Sequence, residues 1–335
     1  MKGTLAFTTI RNEGPFLLEW IAWQKMLGFD RVLVMFNDCT DHSPQLLRLL
    51  ERAGEIATKR HTPGENLHPQ PSAYLACRKH PFVKEADWMF TCDVDEFLVV
   101  HKGDGTISAL LNNGDVPWQG MAIHWRIFGT NSYNLWEDGL VHRRFVKSSP
   151  VMARQNNCVK SFVRNPLSFG KLRSHSPRYW QGDGAWGKDG RYWVLSDGSR
   201  WDAYDPDSAP LNATENDGIV HGDASVNHYI LQSREQFDFK RGRRSAAAGL
   251  DRYSHDFFHR FNHNSTPNTD ALSYKARFDA EYARICDIPG AMRLHHMCCA
   301  DLVADMCAKR GEDPAADPRW QQHRARAQAL PRHMD

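Results

Sequence analysis

The sequence lacks the features that mark several large protein classes. No stretch of its 335 residues approaches the roughly 20 consecutive apolar residues that a membrane-spanning helix requires. Near the start, charged residues and Pro15 interrupt a short apolar run, a pattern unlike a secretory signal peptide. Neither a P-loop nor a GxGxxG turn is present. With 42 Lys and Arg against 40 Asp and Glu, the formal charge is only +2, so we expect no bulk attraction to nucleic acid.

Cysteine is also sparse. The eight cysteines show neither the CxxC spacing of a zinc ribbon nor the density of a secreted disulfide scaffold. They lie at positions 39, 77, 92, 158, 286, 298, 299 and 307. We interpret them as reduced thiols in a cytoplasmic protein.

The first third of the chain alternates strand-like and helix-like segments. Residues 14–27 repeat apolar residues at helical spacing and stop at Gly28, and residues 43–54 form a second helical pattern. Strand-like runs come before, between and after these helices, at residues 4–10, 31–36, 55–60 and 88–100. This β-α-β-α-β order predicts an α/β fold with a Rossmann-like, mostly parallel sheet flanked by helices.

The pattern changes twice further along the chain. Beyond residue 115 it loosens into short strands and loops rich in Trp, Gly and Asp, and near residue 234 it becomes helical. We therefore predict a main domain over residues 1–233, with halves 1–115 and 116–233. A helical C-terminal region, ending in a polar tail, is expected over residues 234–335.

Polar residues follow the predicted strands where each strand ends. They are Thr9, Arg11, Asn12 and Glu13 after the first strand, Asn37, Asp38 and Asp41 after the second, and Asp93 with Asp95 after the fourth. Ligands of parallel α/β sheets bind beyond the carboxyl ends of the strands. We therefore expect these side chains to converge on one site.

The stretch ADWMFTCDVDEFLVV, residues 86–100, places three carboxylates beside apolar runs. Like charges repel and burial strips their water, so something must offset the cost. On an extended strand Asp93 and Asp95 point to one face and Glu96 to the other, and two converging carboxylates suit Mg²⁺ or Mn²⁺. The spacing does not fit an EF-hand. An acidic turn that caps backbone N–H groups or pairs with arginines is the open alternative.

Further blocks surround this stretch in a fixed order. They are TTIRNEGPFLLEWIAWQKMLGFDRVLVMFNDCTDHS, HPQPSAYLACRK, IHWRIFGTNS, CVKSFVRNP, HSP and VNHYILQSREQFDFKRGR, and with the acidic stretch they cover residues 4–244. Together they resemble the GT-A glycosyltransferases, specifically the family-2-like and family-92-like group whose short apolar strand ends in D-x-D-E-F. The resemblance implies a GT-A fold with a nucleotide-binding half over 1–115 and an acceptor-side half over 116–233.

The resemblance also implies the nucleotide-facing residues. Thr9, Arg11 and Glu13 would meet the base and ribose, and the second nucleotide-facing loop would consist of Asn37, Asp38 and Asp41. Amides and carboxylates can bind the N–H and hydroxyl groups of uridine. Gln70 and Tyr74 match the family's Q-x-x-A-Y helix near the metal. Two structural alternatives stay open, in which Asp41 belongs to a turn that starts the next helix and Tyr74 packs in the core.

A third metal ligand is implied by the N-H-Y block, which offers His228. An imidazole ligand favours Mn²⁺ over Mg²⁺. His175 is a second candidate, for the metal or the acceptor. The alternative for His228 is packing against a strand edge.

Four cationic residues are grouped in the KRGRR segment. The segment contains Lys240, Arg241, Arg243 and Arg244. We expect Lys240 and Arg241 to stabilise the charge of a nucleoside diphosphate leaving group, although such a cluster can also be a solvated helix end. Lys160 could reach the same diphosphate or an acidic sugar.

The reaction implied by the resemblance is metal-dependent, inverting transfer from a nucleotide sugar, such as a UDP-sugar, to a glycan or lipid-linked glycan. One carboxylate then acts as general base. Glu137 and Asp138 are the first candidates, with Asp183 and Asp223 also considered. Aromatic rings on the acceptor side could form sugar platforms or core, namely Trp125, Phe128, Trp136, Trp180 and Trp193.

Two other functions stay open: a noncatalytic sugar-binding or nucleotide-binding module, and a metal-dependent nucleotidyltransferase or phosphohydrolase. The C-terminal region pairs His295 with Cys298 and His296 with Cys299 at i, i+3 spacing. Zinc would need further ligands there, and packing of the helix is the expected role. The region could dock on the sheet, mediate self-association, or lie at the inner face of a membrane.

Overall fold

Our computed structural model describes residues 3–65, 67–242 and 251–331. The strands in these ranges are β1 (Thr4–Ile10), β2 (Arg31–Phe36), β3 (Ala57–Arg60), β4 (Trp88–Thr91), β5 (Glu96–Val100), β6 (Gly120–Ile127), β7 (Lys147–Ser148), β8 (Val159–Arg164), β9 (Phe169–Lys171), β10 (Arg178–Trp180), β11 (Trp193–Leu195), β12 (Ala224–His228) and β13 (Thr266–Pro267). The α-helices are α1 (Gly14–Leu27), α2 (Ser43–Arg52), α3 (Pro69–Cys77), α4 (Pro81–Lys84), α5 (Ile107–Leu110), α6 (Val141–Arg144), α7 (Arg234–Lys240), α8 (His255–Phe261), α9 (Lys275–Cys286), α10 (Ala291–Arg310) and α11 (Pro318–Ala329).

The central sheet runs in the order β3-β2-β1-β4-β8-β6-β12-β5, with β11 paired to β6 off this path. The four strands from β3 to β4 are mutually parallel, so the carboxyl ends of β1, β2 and β4 lie at one edge. Strand β8 runs antiparallel to both of its neighbours, and β12 runs parallel to β6 and antiparallel to β5. The pairing of Glu96 with His228 brings the end of β12 to the start of β5.

Helix α1 is buried on nearly every side, which explains its apolar sequence. Pro15 lies in its first turn, and Gly28 ends it in the left-handed conformation, at φ +93°, that glycine adopts without strain. On the sheet side, the indole of Trp23 donates a hydrogen bond to the Leu98 carbonyl at 2.8 Å. On the other side, α1 packs against α9 and α10. The C-terminal helices therefore cover the domain that carries the sheet.

Residues 88–100 form two strands where the sequence predicts one. Strand β4 pairs with β1 and β8, whereas β5 pairs with β12, and residues 92–95 form a turn between them. The turn closes because Glu96 N–H donates to the Asp93 carbonyl at 3.0 Å and Asp93 N–H donates to Glu96 Oε2 at 2.8 Å. Alternation along one extended strand therefore does not set the directions of these side chains.

Part of the expected polar tail is a packed helix. Asp317 caps α11 by accepting the Arg319 N–H at 2.9 Å, and Pro318 occupies the first turn. His323 and Ala327, four residues apart, are buried, and α11 packs on α10. Because only these two side chains of α11 are buried, the charged sequence of this segment shows little hydrophobic periodicity, and the helix was not predicted.

Helix α10 also reaches the loops at the carboxyl edge of the sheet. Asp301 accepts the backbone N–H of His42 at 2.9 Å, just before α2. Cys298 faces Gly14 at the start of α1. No helix in the described ranges has the length and apolar character needed to cross a bilayer.

We predict that Gly14→Ala destabilises the protein by about 1–3 kcal/mol, the usual cost of overpacking. A Cβ at this position would lie 2.6 Å from Cys298 Cβ and 2.9 Å from Ser43 Oγ, and it would also meet Cys298 Sγ. Urea unfolding measures the difference. Gly64→Ala is the matched control, because its Cβ would meet nothing closer than 3.8 Å. Equal unfolding midpoints for Gly14→Ala and wild type would contradict the close packing of α10 on α1.

Candidate functional site

The turn at residues 92–95 lies at the edge where β1, β2 and β4 end, beside the loops that follow β1 and β2. Asn12 and Asp38 in these loops have φ values of +58° and +45°, a region that Asn and Asp tolerate better than other non-glycine residues. Asn12 accepts the Thr40 N–H and donates to Thr40 Oγ1, both at 2.8 Å. The two loops are thus fastened to each other.

A buried lysine compensates two of the three carboxylates at the turn. Lys160 Nζ lies 3.0 Å from Asp93 Oδ2 and 2.9 Å from Glu96 Oε2, and the side chains of Lys160 and Glu96 are fully buried. Strand β8 runs antiparallel to β4, so its beginning, where Lys160 lies, is beside the end of β4. Part of the electrostatic cost at this turn is therefore offset within the protein.

The pKa values around this ion pair agree with a charged lysine. Burial alone would lower the pKa of Lys160, but Asp93 and Glu96 raise it well above its ordinary value. Burial raises the pKa of Glu96, and the charge of Lys160 opposes that rise. The ammonium group thus keeps its proton at neutral pH.

Asp95 lies against His228. Its Oδ1 atom is 3.6 Å from His228 Nε2, and its carbonyl accepts the Tyr229 N–H at 2.9 Å. The His228 ring packs against Trp125, with ring centroids 4.4 Å apart, and its Nδ1 lies 3.8 Å from Glu96 Oε1. Asp95 and His228, which are far apart in sequence, are therefore brought together by the pairing of β5 with β12.

Cations beyond His228 also act on Asp95. Burial would raise the pKa of Asp95, but His228, Lys240 and Arg252 together lower it below its ordinary value. Burial likewise opposes the charge of Lys240, whose pKa is raised by Tyr253, Asp95 and Glu13. Carboxylate and cations thus stabilise each other's charged forms.

Arg252 was missed by the sequence analysis. No recognised block includes it, and it follows residues 243–250, which lie outside the described part of the chain together with the candidates Arg243 and Arg244. Its charge acts on both Asp95 and Asp93. Its guanidinium lies 5.4 Å from the centre of the Tyr253 ring. Only the spatial neighbourhood, not a local motif, identifies it.

Gln70 and Tyr74 on α3 have different surroundings. Gln70 Nε2 donates to Asp93 Oδ1 at 3.0 Å, so Gln70 and Lys160 bind opposite oxygens of one carboxylate. Tyr74 is buried and packs edge-on against Phe7 at 5.3 Å. The surroundings of Tyr74 are those of a core residue.

The predicted nucleotide-facing residues all lie at or next to the carboxyl edge. Thr9 is within β1, Arg11 is exposed just after it, and Asn37 is buried and donates to Asp38 Oδ2 at 3.0 Å. Asp41 accepts both the backbone N–H of Ser43 at 3.0 Å and its hydroxyl at 2.6 Å. Burial raises the pKa of Asp41. Asp41 therefore has the structural role at the start of α2 that the sequence left open.

Glu137 and Asp138 lie in a different part of the molecule. Both line a cleft of about 1110 Å³ between the loop after β6, α7, α10 and α11. Glu137 is mostly exposed and lies 3.5 Å from Arg144, and Asp138 lies 3.2 Å from His295 Nε2. The loop that carries them is held by the C-terminal helices, which the sequence could not place.

The remaining candidates are spread over the fold. Asp223, just before β12, pairs with Lys102 at 3.0 Å, and Asp183 is exposed on a loop. Arg241 is exposed and lies 3.7 Å from Asp238. His175 Nδ1 donates to the Val159 carbonyl at 2.8 Å, and the His175 ring contacts the Trp125 ring. Four of the aromatic candidates are buried, namely Trp125, Phe128, Trp136 and Trp193. Trp180 is half-buried.

We predict that Lys160→Met lowers the free energy of unfolding by about 3–5 kcal/mol, because Glu96 would keep a buried charge without a partner. Denaturant unfolding measures the loss, with the exposed Lys171→Met as control. An equally stable variant would show that Lys160 does not compensate the turn.

The loss should depend on pH. Without Lys160, the buried Glu96 carboxyl binds a proton more readily in the folded state than in the unfolded chain, so stability falls as pH rises. Unfolding curves from about pH 5 to about pH 8, above the ordinary Glu pKa of about 4.3, should show the variant losing stability relative to wild type. A pH-independent difference would contradict this account.

Comparisons with known proteins give one family match. Residues 7–194, more than half of the chain, match glycosyltransferase family 92. No curated protein matches.

Several solved structures are similar in part. S. aureus TarS 1-349 in complex with UDP is 14% identical, with a TM-score of 0.31; this comparison covers 50% of this chain and 48% of that chain, about half of each. The same protein in complex with UDP-GlcNAc is 9% identical, with 99% and 93% covered and a TM-score of 0.31. A putative glucose-1-phosphate thymidylyltransferase from Bacillus anthracis is 8% identical, with 49% and 72% covered and a TM-score of 0.30. The family match confirms the predicted resemblance, the α/β fold of GT-A type and the enzyme class: the chain belongs to glycosyltransferase family 92.

Proposed function

We propose that this glycosyltransferase takes a sugar from a nucleotide sugar, a UDP-sugar, and transfers it to a hydroxyl group of a glycan or lipid-linked glycan with inversion at the anomeric carbon. The observation that carries the proposal is the contact of Asp95 with His228 at the carboxyl edge of the sheet, in the turn that also carries Asp93. Ligands of parallel α/β sheets bind at such edges. The expected donor and acceptor classes come from the family.

The side chains at the turn fit a divalent cation, Mn²⁺ or Mg²⁺. Glu96 Oε1 and His228 Nδ1 are buried and have no hydrogen-bond partner among the described residues, yet they lie 3.8 Å apart. In the neutral ring with its proton on Nδ1, toward Glu96, the lone pair of Nε2 would face Asp95 Oδ1 at 3.6 Å and replace the charged contact that lowers the pKa of Asp95. Two electron-pair donors that face each other at this distance are suited to a cation between them.

Asp93, Asp95 and His228 would hold this cation. Gln70 and Lys160 fix the orientation of the Asp93 carboxylate from the protein side, while about a third of the Asp93 side chain, 37%, stays exposed. A nitrogen ligand favours Mn²⁺ over Mg²⁺. When bound, the cation supplies Lewis-acid stabilisation of the donor's diphosphate.

The loops after β1 and β2 would hold the nucleoside. Thr9, Arg11 and Glu13 on one side, with Asn37 and Asp38 on the other, offer hydrogen-bond donors and acceptors for base and ribose. The Asn12 and Thr40 hydrogen bonds keep the two loops at a fixed separation. A rigid base-binding cleft loses little entropy on binding.

Lys240 and Arg252 would stabilise the leaving group. Both act on Asp95, so they lie close to the position of the diphosphate in this proposal. Their positive charge favours the negative charge that grows as the glycosidic bond breaks. Arg241, exposed and paired with Asp238, is less suited to this role.

An inverting transfer also needs a general base for the acceptor hydroxyl. Glu137 and Asp138 line the cleft at the C-terminal helices, Asp223 precedes β12 at its amino end, and Asp183 lies on an exposed loop. We therefore assign the base to none of these four carboxylates.

Asp95→Asn and Asp93→Asn are expected to reduce UDP release from a UDP-sugar by at least about 100-fold, since the lost charge stabilisation is worth several kcal/mol. Turnover with a panel of UDP-sugars and Mn²⁺, with and without EDTA, measures this. Asp87→Asn is the matched control, because Asp87 is exposed at the opposite end of β4. Wild-type turnover of the double Asn variant in EDTA would overturn the proposal, and release of UMP would point to hydrolysis of the diphosphate.

Arg252→Gln is expected to lower kcat by about tenfold or more with a smaller change in KM, because the charge it stabilises grows only in the transition state. Steady-state kinetics measure both constants. Arg260→Gln, an exposed arginine on α8, serves as the control. A change confined to KM would place Arg252 in ground-state binding instead.

A further inference from the structure

Five metal-binding side chains meet beside the C-terminal helices, away from the Asp93–Asp95 turn. Helix α10 contributes His295, His296 and Cys299, helix α11 contributes His323, and the loop after β6 contributes Asp138. The three histidines and Cys299 are buried, and Asp138 is partly exposed to the adjoining cleft. These side chains form two groups of possible ligands that share Asp138, one with His295 and His296 and one with Cys299 and His323.

Two of the spacings, both from His295 Nε2, match the edges of a tetrahedron around zinc. With Zn–N or Zn–O bonds of about 2.0–2.2 Å and a Zn–S bond of about 2.3 Å, two tetrahedral ligand atoms lie about 3.3–3.6 Å apart. His295 Nε2 is 3.2 Å from Asp138 Oδ1 and 3.6 Å from Cys299 Sγ. The ligand atoms of Asp138, Cys299 and His323 all lie within 4.8 Å of one another.

Hydrogen bonds alone do not satisfy this cluster. His295 Nε2 faces both the Asp138 carboxylate and the Cys299 sulfur, yet it carries either one proton or one lone pair. A proton on Nε2 serves Asp138 and leaves the thiol without its acceptor, whereas a lone pair serves the thiol and faces the carboxylate. The other nitrogen of His295, Nδ1, is buried without a partner among the described residues. A single cation would bind His295 Nε2, the Asp138 carboxylate and the Cys299 sulfur at once.

We propose that Asp138, His295, Cys299 and His323 bind one Zn²⁺ ion that joins α10, α11 and the loop after β6. Binding releases the Cys299 proton, so the thiolate and the carboxylate together balance the charge of the ion. His296 Nδ1 lies 3.2 Å from His323 Nδ1, where it can hydrogen-bond the ligand ring and fix its orientation. Four protein ligands form a closed site, which is typical of structural zinc.

The site is independent of the cation proposed for the transfer reaction. Its ligand set contains soft and borderline donors, sulfur and imidazole, whereas the turn at Asp93 and Asp95 offers mainly carboxylate oxygen. The two sites also share no residue. Loss of one should leave the other able to bind metal.

Metal analysis of the full-length protein, purified reduced and without chelators, tests the proposal. We expect about one zinc per chain, retained in Asp93→Asn and Asp95→Asn and lost in Cys299→Ala and His323→Ala. Cys298→Ala is the matched control, since Cys298 immediately precedes Cys299 in α10 and is equally buried but faces Gly14. Zinc bound equally by wild type and the His323→Ala and Cys299→Ala variants, or absent from wild type even after incubation with Zn²⁺, would overturn the proposal.

Cobalt substitution gives a second measurement, which is made on the wild-type protein and does not depend on whether the variants fold. Metal-free wild-type protein titrated with Co²⁺ should develop the visible absorption of a tetrahedral site with a thiolate-to-cobalt band, saturating at about one equivalent. Added Zn²⁺ should remove this absorption. An octahedral cobalt spectrum without a thiolate band would assign the metal to the carboxylate turn and refute the site at Cys299.

Discussion

The ion pair between Lys160 and the carboxylates of Asp93 and Glu96 is the interaction on which the rest of the site depends. Glu96 is fully buried, and its carboxylate receives both the lysine and the Asp93 N–H that closes the turn. Lys160 contacts Asp93 and Glu96, whereas Asp95 faces His228, Lys240 and Arg252 on the opposite side. The turn is thus divided into a compensated half, which holds its shape, and an open half with His228, Lys240 and Arg252 around it.

The sequence predicted part of the fold and of the candidate site. The order of strands and helices up to residue 60, the end of α1 at Gly28 and the placing of polar residues at the carboxyl edge follow from local periodicity and capping. His228 lies 3.6 Å from Asp95, and the ligand role that the N-H-Y block implied for it stays a prediction. The sequence did not predict the break of residues 88–100 into β4 and β5. The pattern of residues 88–100 was that of one extended strand with Glu96 on the face opposite to the aspartates, whereas the burial of Glu96 depends on a lysine in a distant antiparallel strand.

The sequence also did not predict how the C-terminal helices pack on the rest of the protein. Their contacts with α1 and with the loop after β6 link segments more than 150 residues apart, as in the contact of Asp138 with His295. No local pattern encodes such pairs. Helix α10 also contacts the loops at the carboxyl edge, because Asp301 accepts the backbone N–H of His42 and Cys298 packs against Gly14. The helical C-terminal region therefore packs behind the loops that follow β1 and β2.

The position of Lys160 in β8 has a consequence for how the chain acquires its structure. Asp93 and Lys160 are separated by 67 residues, so the first hundred residues leave the ribosome before the lysine that compensates their turn. Until β8 is synthesised and added to the sheet, the Glu96 carboxyl can be buried only in protonated form. The charged form of the acidic turn therefore requires β8 in place beside β4.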